Sequence, residues 1–236
     1  MTSGVWAVVP AAGVGRRFGG DRPKQYLEVQ GKPLLVHALD ALLRHPRVAG
    51  AVVALAESDG LWPGWTERQG KPVVRCVGGG ERADSVLAAL RALSGKASDQ
   101  TLVLVHDAAR PNLALDDLDR LIRTADAHPD GAILAAPVRD TLKRSDADAR
   151  ILGTEPREAL WRALTPQAFR RGALTHALEA ARQAGIVPTD EAMAMERMGL
   201  RPCLVEGRDD NIKVTTPSDR ALVEFLLADP ALRATR

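Results

Sequence analysis

Short apolar runs alternate along the chain with stretches whose apolar positions recur every three or four residues. The runs at 5–9, 51–55, 71–77, 102–105, 132–136 and 202–205 predict strands, the first ended by Pro10. Helices are predicted at 33–43, with Leu35, Leu39 and Leu42 on one face, and at 81–93, with Val86, Leu90 and Leu93 in register. Residues 115–127 (Leu118, Leu121 and Ile122 inward), 167–183 (Leu174, Leu178 and Ala181) and 190–198 read the same way. A last helix begins at Thr216-Pro217-Ser218-Asp219, where Thr216 can cap, Pro217 suits the first turn and Asp219 suits the positive helix end. Strands that are apolar on both faces are covered on both faces. The rhythm therefore predicts an α/β fold, a mostly parallel twisted sheet between two layers of helices.

The rhythm breaks at Pro137. Residues 138–152 are polar and charged, and Asp146-Ala147-Asp148 reads as a turn, which predicts a β-hairpin arm leaving the sheet. Two strands cannot bury a core alone, so the arm is expected to pack on a partner subunit; the alternative is a solvated surface loop. No repeat, linker or low-complexity tract interrupts the chain, so a single domain spanning 1–236 is expected.

Composition narrows the function. Lys and Arg number 32 against 30 Asp and Glu, and aromatics are only 3%, which disfavours a nucleic-acid partner and builds the core from Ala, Val and Leu. No apolar run reaches membrane-spanning length and residues 1–6 hold no signal-peptide core, so no membrane partner and a cytoplasmic location are expected. The two cysteines, Cys76 and Cys203, exclude a disulfide framework and a four-cysteine zinc site, and read as buried free thiols in a reducing compartment. The five histidines show no metal-ligand spacing, and no Gly-x-Ser-x-Gly elbow is present.

The candidate chemistry sits where strands end. Pro10-Ala11-Ala12-Gly13-Val14-Gly15-Arg16-Arg17-Phe18, followed by Pro23-Lys24-Gln25-Tyr26, follows the first strand. Small residues let a backbone nest approach phosphate, and Arg17 and Lys24 supply charge. Phe18 stands where a dinucleotide fingerprint needs a third small residue, and no Gly-Lys-Ser/Thr follows the loop. Gly78-Gly79-Gly80-Glu81-Arg82-Ala83-Asp84-Ser85 reads equally as a base-reading turn or a plain strand-to-helix turn. Asp107, in Val105-His106-Asp107-Ala108-Ala109-Arg110-Pro111, stands just past a buried strand facing the phosphate loop, a natural place for hydrated magnesium. The alternative is an Asp paired with Arg110. Arg139, Lys143 and Arg157 give the arm cations for a second anionic substrate, and Asp209-Asp210-Asn211-Ile212-Lys213 returns polar groups to the same edge.

These segments, together with Pro137-Val138-x-Asp140-Thr141, Thr165-Pro166-Gln167 and Thr189-Asp190-Glu191, occur in an order that closely resembles the 2-C-methyl-D-erythritol 4-phosphate cytidylyltransferase family over nearly the whole chain. The resemblance implies a Rossmann-like nucleotidyltransferase fold and a homodimer that exchanges arms, here 138–157. It also implies Mg2+ as cofactor, and transfer of the cytidylyl group of CTP to the polyol phosphate with release of pyrophosphate. By position it assigns Arg17 and Lys24 to the α-phosphate in the transition state, and Arg157 and Lys213 to the substrate phosphate. Thr141 and Thr189 would be substrate contacts, and Ala11, Ala12, Gly13, Gly79 and Ser85 would form the CTP site. Gly15, Ala108 and Arg110 are counted with that site, while Asp107 and Asp210 are the candidate metal neighbours. Glu155 departs from the family pattern beside Arg157. The rival readings are a ribitol-5-phosphate cytidylyltransferase and a non-catalytic nucleotide-binding protein.

Overall fold

The structure is a computed structural model that describes residues 4–13 and 23–228. The chain begins with β1 (Val5–Ala11) and, after a 3-10 turn at Lys24–Tyr26, a small hairpin of β2 (Glu28–Val29) and β3 (Lys32–Pro33) leads into α1 (Leu34–Leu43). Then follow β4 (Val48–Leu55), β5 (Glu67–Arg68), β6 (Lys71–Val77), α2 (Arg82–Ala92), β7 (Leu102–Val105), α3 (Leu115–Ala127) and β8 (Ala132–Pro137). The arm consists of β9 (Leu142–Ser145) and β10 (Ile151–Glu155). The chain returns as β11 (Trp161–Arg170), α4 (Arg171–Gln183), α5 (Glu191–Arg197), β12 (Cys203–Glu206) and α6 (Pro217–Ala228).

The eight-stranded sheet has the order β12-β8-β11-β7-β1-β4-β6-β5. β1 pairs in parallel with β4 and β7, β4 with β6, and β8 with β12. Side chains alternate across the strands and sort the core into two layers. Val5, Ala7 and Val9 pack with Leu35 and Leu39 of α1 and Leu118 and Leu121 of α3. Trp6 and Val8 face the opposite layer, with Val86 and Leu90 of α2, Leu174 and Leu178 of α4 and Met195 of α5. A smaller cluster seats α6, through Val223 and Leu227, on Val29, Leu34 and Val214.

Two expectations change. Residues 167–170 are strand rather than helix: β11 runs antiparallel between β7 and β8, with Gln167 opposite Val105 and Arg170 opposite Leu102. Its register shifts between Ala163 and Gln167, the kind of irregularity at which a strand accepts a proline such as Pro166. The two cysteines are free but half-buried rather than buried, and burial pushes the Cys76 thiol up to about 11.

The arm is a hairpin, as the pattern predicts. β9 and β10 pair only with each other among the described residues. At its tip the Asp146 carboxylate accepts the N–H groups of Asp148 and Arg150 at 3.0 and 2.9 Å. The last helix is capped reciprocally: Asp219 accepts the N–H groups of Thr215 and Thr216, and its own N–H donates to Thr216 Oγ1.

Candidate active site

The parallel strands β1, β6, β7 and β12 end on one edge of the sheet, and the loops that follow them converge there. Ala11 at the end of β1 with Ala12 and Gly13 after it, Gly79 and Gly80 after β6, Asp107 and Ala108 after β7, Lys213 after β12, and Lys24 line one cleft. Gln25 pins the Lys24 turn to the end of β1 by donating to the Ala11 carbonyl at 2.7 Å. Tyr26 anchors the same turn from the other side, its hydroxyl donating to Asp59 at 2.9 Å.

Glycine is required by contact in the second loop. A Cβ on Gly79 would lie 2.3 Å from Asp84 Cβ, and one on Gly78 would lie 2.6 Å from Ala12 Cβ. By contrast a Cβ on Gly80 would meet nothing within 4 Å, so that position faces open space. Ser85 holds the loop in place by accepting the Gly79 N–H at 3.1 Å.

Asp107 is the electrostatic centre of the cleft. Oδ1 accepts Arg82 Nε at 2.9 Å, and Oδ2 faces Lys213 Nζ at 2.9 Å and Arg110 Nε at 3.5 Å. Burial alone would raise this carboxyl, but Arg82, Lys213 and Arg110 outweigh it and hold it well below the usual carboxylate range. Behind it Arg82 is gripped by Glu191, Nη1 to Oε1 at 2.6 Å and Nη2 to Oε2 at 3.1 Å. Burial keeps the Glu191 carboxyl above its ordinary value despite that partner.

The loop carrying Asp107 is fastened by a directed chain of hydrogen bonds. His106 is fully buried, and burial pushes its imidazole down to about 4, so it is neutral at physiological pH. Its Nε2 lies 2.9 Å from the Arg110 carbonyl, which can only accept, so Nε2 carries the proton and Nδ1 accepts from Thr165 Oγ1 at 2.9 Å. Thr165 Oγ1 in turn accepts the Asp107 N–H at 3.1 Å. Arg110 donates to the Asn211 carbonyl at 2.6 Å and Asn211 to the Thr165 carbonyl at 2.8 Å, joining the Lys213 loop to the same frame.

The structure brings together most of the nucleotide-side residues read from sequence, with Ser85 in the wall of the cleft and Arg110 outside its lining, against Asp107. Gly15 and Arg17 lie outside the described residues. Thr141 and Arg157 share a separate shallow pocket on the arm with Glu155, and Arg157 donates to the Arg139 carbonyl. Glu155 is committed to Arg144 at 2.6 Å. Thr189 is exposed just before α5, its hydroxyl 3.5 Å from Met193 Sδ, and lines neither pocket. Asp210 is bound by Arg208 at 2.8 and 3.0 Å, outside the cleft lining. Sequence reading passed over Arg82 as a site residue, and with it Glu191 and Thr165. All three stand in the quoted motifs, but only the fold shows that Arg82 and Thr165 meet at Asp107 and that Glu191 stands behind Arg82.

The model of the 2-C-methyl-D-erythritol 4-phosphate cytidylyltransferase family matches residues 5–229. The protein of that name from Xanthomonas campestris pv. campestris is 62% identical over 229 residues, 97% of this chain and 86% of the relative. Its counterpart from Xanthomonas oryzae pv. oryzae is 62% identical over 95% of this chain and 82% of its own. Among solved structures, a 4-diphosphocytidyl-2C-methyl-D-erythritol synthase superposes with a TM-score of 0.83 at 37% identity, covering 96% of this chain and all of that one. The Francisella tularensis 2-C-methyl-D-erythritol 4-phosphate cytidylyltransferase gives 0.81 at 32% identity, covering 94% and 99%.

Proposed function

Because the chain belongs to the 2-C-methyl-D-erythritol 4-phosphate cytidylyltransferase family, we propose that the cleft around Asp107 is where it joins CTP to the polyol phosphate. The enzyme transfers the cytidylyl group of CTP to 2-C-methyl-D-erythritol 4-phosphate, giving 4-diphosphocytidyl-2-C-methyl-D-erythritol and pyrophosphate for isoprenoid synthesis. The observation that carries the site is the convergence of Lys24, Lys213 and Asp107 on two small-residue turns at the carboxyl edge of the sheet. Ligands of open α/β sheets bind at that edge.

The acceptor phosphate attacks the α-phosphorus, a new P–O bond forms, and the bond to the β-phosphate breaks with its electron pair leaving on pyrophosphate. The nucleophile is already ionised at neutral pH, so no general base is needed, in keeping with a buried neutral His106. What the protein must supply is alignment and countercharge. The Ala11–Gly13 and Gly79–Gly80 backbones accommodate the nucleotide, and Lys24 faces its phosphates. Lys213, whose side chain is 41% exposed and whose Nζ rests on Asp107 Oδ2, is placed to pass to the incoming phosphate. Arg17 completes the α-phosphate grip by the family pattern.

The donor set fits a magnesium ion that arrives on the nucleotide. Among the described residues no group of three or more His, Cys, Asp or Glu could cage a metal, and Mg2+ in such sites takes one or two carboxylates plus substrate phosphates. Asp107 would hold it, its Oδ2 shared among the described residues with Lys213 and Arg110, whereas Asp210 is paired with Arg208. When bound, the ion would offset charge on the triphosphate.

Residues 1–236 would act as one nucleotidyltransferase domain whose arm, 138–157, reaches a second copy. Thr141 and Arg157 form a pocket apart from the chain's own cleft, and Ile151 and Leu152 are exposed, which supports delivery to a partner's cleft in a homodimer. The free thiols support a cytoplasmic location. The test is pyrophosphate release from CTP and magnesium with either 2-C-methyl-D-erythritol 4-phosphate or ribitol 5-phosphate. Turnover with the first alone is expected. Turnover with ribitol 5-phosphate alone, or silence in both, would overturn the reading. Light scattering after gel filtration should give twice the chain mass, and a stable monomer would remove the exchanged arm.

A further inference from the structure

Glu191 is 1% exposed, yet it never touches the cleft. Its two oxygens take Nη1 and Nη2 of Arg82, which leaves Nε as the nitrogen that meets Asp107 Oδ1 at 2.9 Å. All three guanidinium nitrogens are thus spent on two carboxylates. Freed from Glu191, the flat guanidinium fork would turn to chelate Asp107 with two nitrogens, its preferred pairing with a carboxylate. That would draw Oδ2 away from Lys213. Glu191 is itself rigidly held. It opens α5 directly after the N-cap Asp190, which accepts the Met193 N–H at 2.9 Å. Gln167 of β11 braces the same turn, donating to Asp190 Oδ2 and accepting the Ala192 N–H, both at 2.9 Å.

We propose that Glu191 is a positioning residue for the transfer: by occupying two nitrogens of Arg82 it fixes Asp107 with Oδ2 toward Lys213, and it ties the nucleotide cleft to the segment that carries Thr189. The proposal rests on the cytidylyltransferase reading of the cleft. A buried ion pair with a purely structural task would register in stability alone. This one sits one side chain from the reacting groups.

The experiment compares the wild type with Glu191→Gln, which keeps the shape but sets an amide donor against the guanidinium. CTP binding is measured by calorimetry without acceptor, and kcat and KM for both substrates by pyrophosphate release, with a thermal melt of each protein. CTP binding should weaken and kcat/KM should fall by roughly 10–100-fold, the usual loss when the partner of a site carboxylate's support is removed. Glu191→Asp should recover part of it. In a double-mutant cycle with Arg82→Lys the losses in kcat/KM should not add, because both act through the same guanidinium. Kinetics unchanged beside a lowered melting temperature would overturn the proposal, as would strictly additive losses. If the Gln variant does not fold, the Asp variant is read by the same criteria. A wild type that fails to turn over CTP with the polyol phosphate would instead sink the functional reading, so the two failures are distinct.

Discussion

Replacing Asp107 with Asn tests the electrostatic account of the cleft directly. The substitution keeps the shape and removes one negative charge from a cluster of three cations, Arg82, Arg110 and Lys213, and two carboxylates, Asp107 and Glu191. At 2.9 Å, each of the Arg82 and Lys213 contacts is worth about 6 kcal/mol at an effective dielectric near 20. Opposing this is the desolvation of a carboxylate that is only 7% exposed. The attractions win, because the carboxyl is held well below its ordinary range. Removing one partner of such a buried set costs about 3–5 kcal/mol. For a chain of this size that lowers Tm by roughly 6–20 °C. Because the folded carboxyl is depressed, its stabilisation is present above the unfolded value of about 3.9 and is lost as pH falls below it. The gap in Tm between wild type and Asp107→Asn should therefore be full at pH 7 and narrow below about pH 4. Pyrophosphate should raise the Tm of the variant more than that of the wild type, since the uncovered cations then recover an anion. A Tm within about 2 °C of wild type at pH 7, under 1 kcal/mol, would refute the reasoning.

Two further substitutions probe neighbouring parts of the frame. Gly79→Ala forces a Cβ to 2.3 Å from Asp84 Cβ, so the Gly78–Gly80 turn must shift. It should cost about 1–3 kcal/mol in stability and raise KM for CTP while leaving KM for the acceptor nearly unchanged, as steady-state kinetics and melts would show. His106 is held down to about 4 by burial, so its contribution is complete above an unfolded value of about 6.5 and is lost as pH falls toward 4. Melts of wild type between pH 7 and 4.5 should show a loss on the order of 3 kcal/mol that His106→Asn does not share.

Much of this molecule is written locally. The 3.6-residue spacing of Leu118, Leu121 and Ile122 places α3 without reference to anything else, and the apolar run 102–105 places β7. The turn chemistry at Asp146 and the reciprocal cap at Asp219 were equally readable, because both are closed within a few residues. β11 was not, because Pro166 interrupts its pattern and its antiparallel place between β7 and β8 depends on tertiary pairing. The site divides the same way. Asp107 and Lys213 stand out in the loops that follow strands, but Arg82 and Glu191 are 109 positions apart, and only the tertiary fold, with α5 on α4 and α4 on α2, joins them. Asp210, read at the same edge as a metal neighbour, is paired with Arg208 two residues away.

The pairing of β8 with β11 has a further consequence. Trp161 lies opposite Pro137, and the Val138 N–H still reaches the Leu160 carbonyl at 3.0 Å, so both legs of the arm spring from adjacent antiparallel strands. The arm is the far end of one long hairpin of β8 and β11, and on its other side β11 pairs with β7, Gln167 opposite Val105, the strand that presents Asp107. Residues can be added or removed beyond Val138 and Leu160 without breaking a contact of the eight-stranded sheet. The length of the arm is thus adjustable and set independently of the cleft around Asp107, so the projection and the cleft can drift separately in evolution.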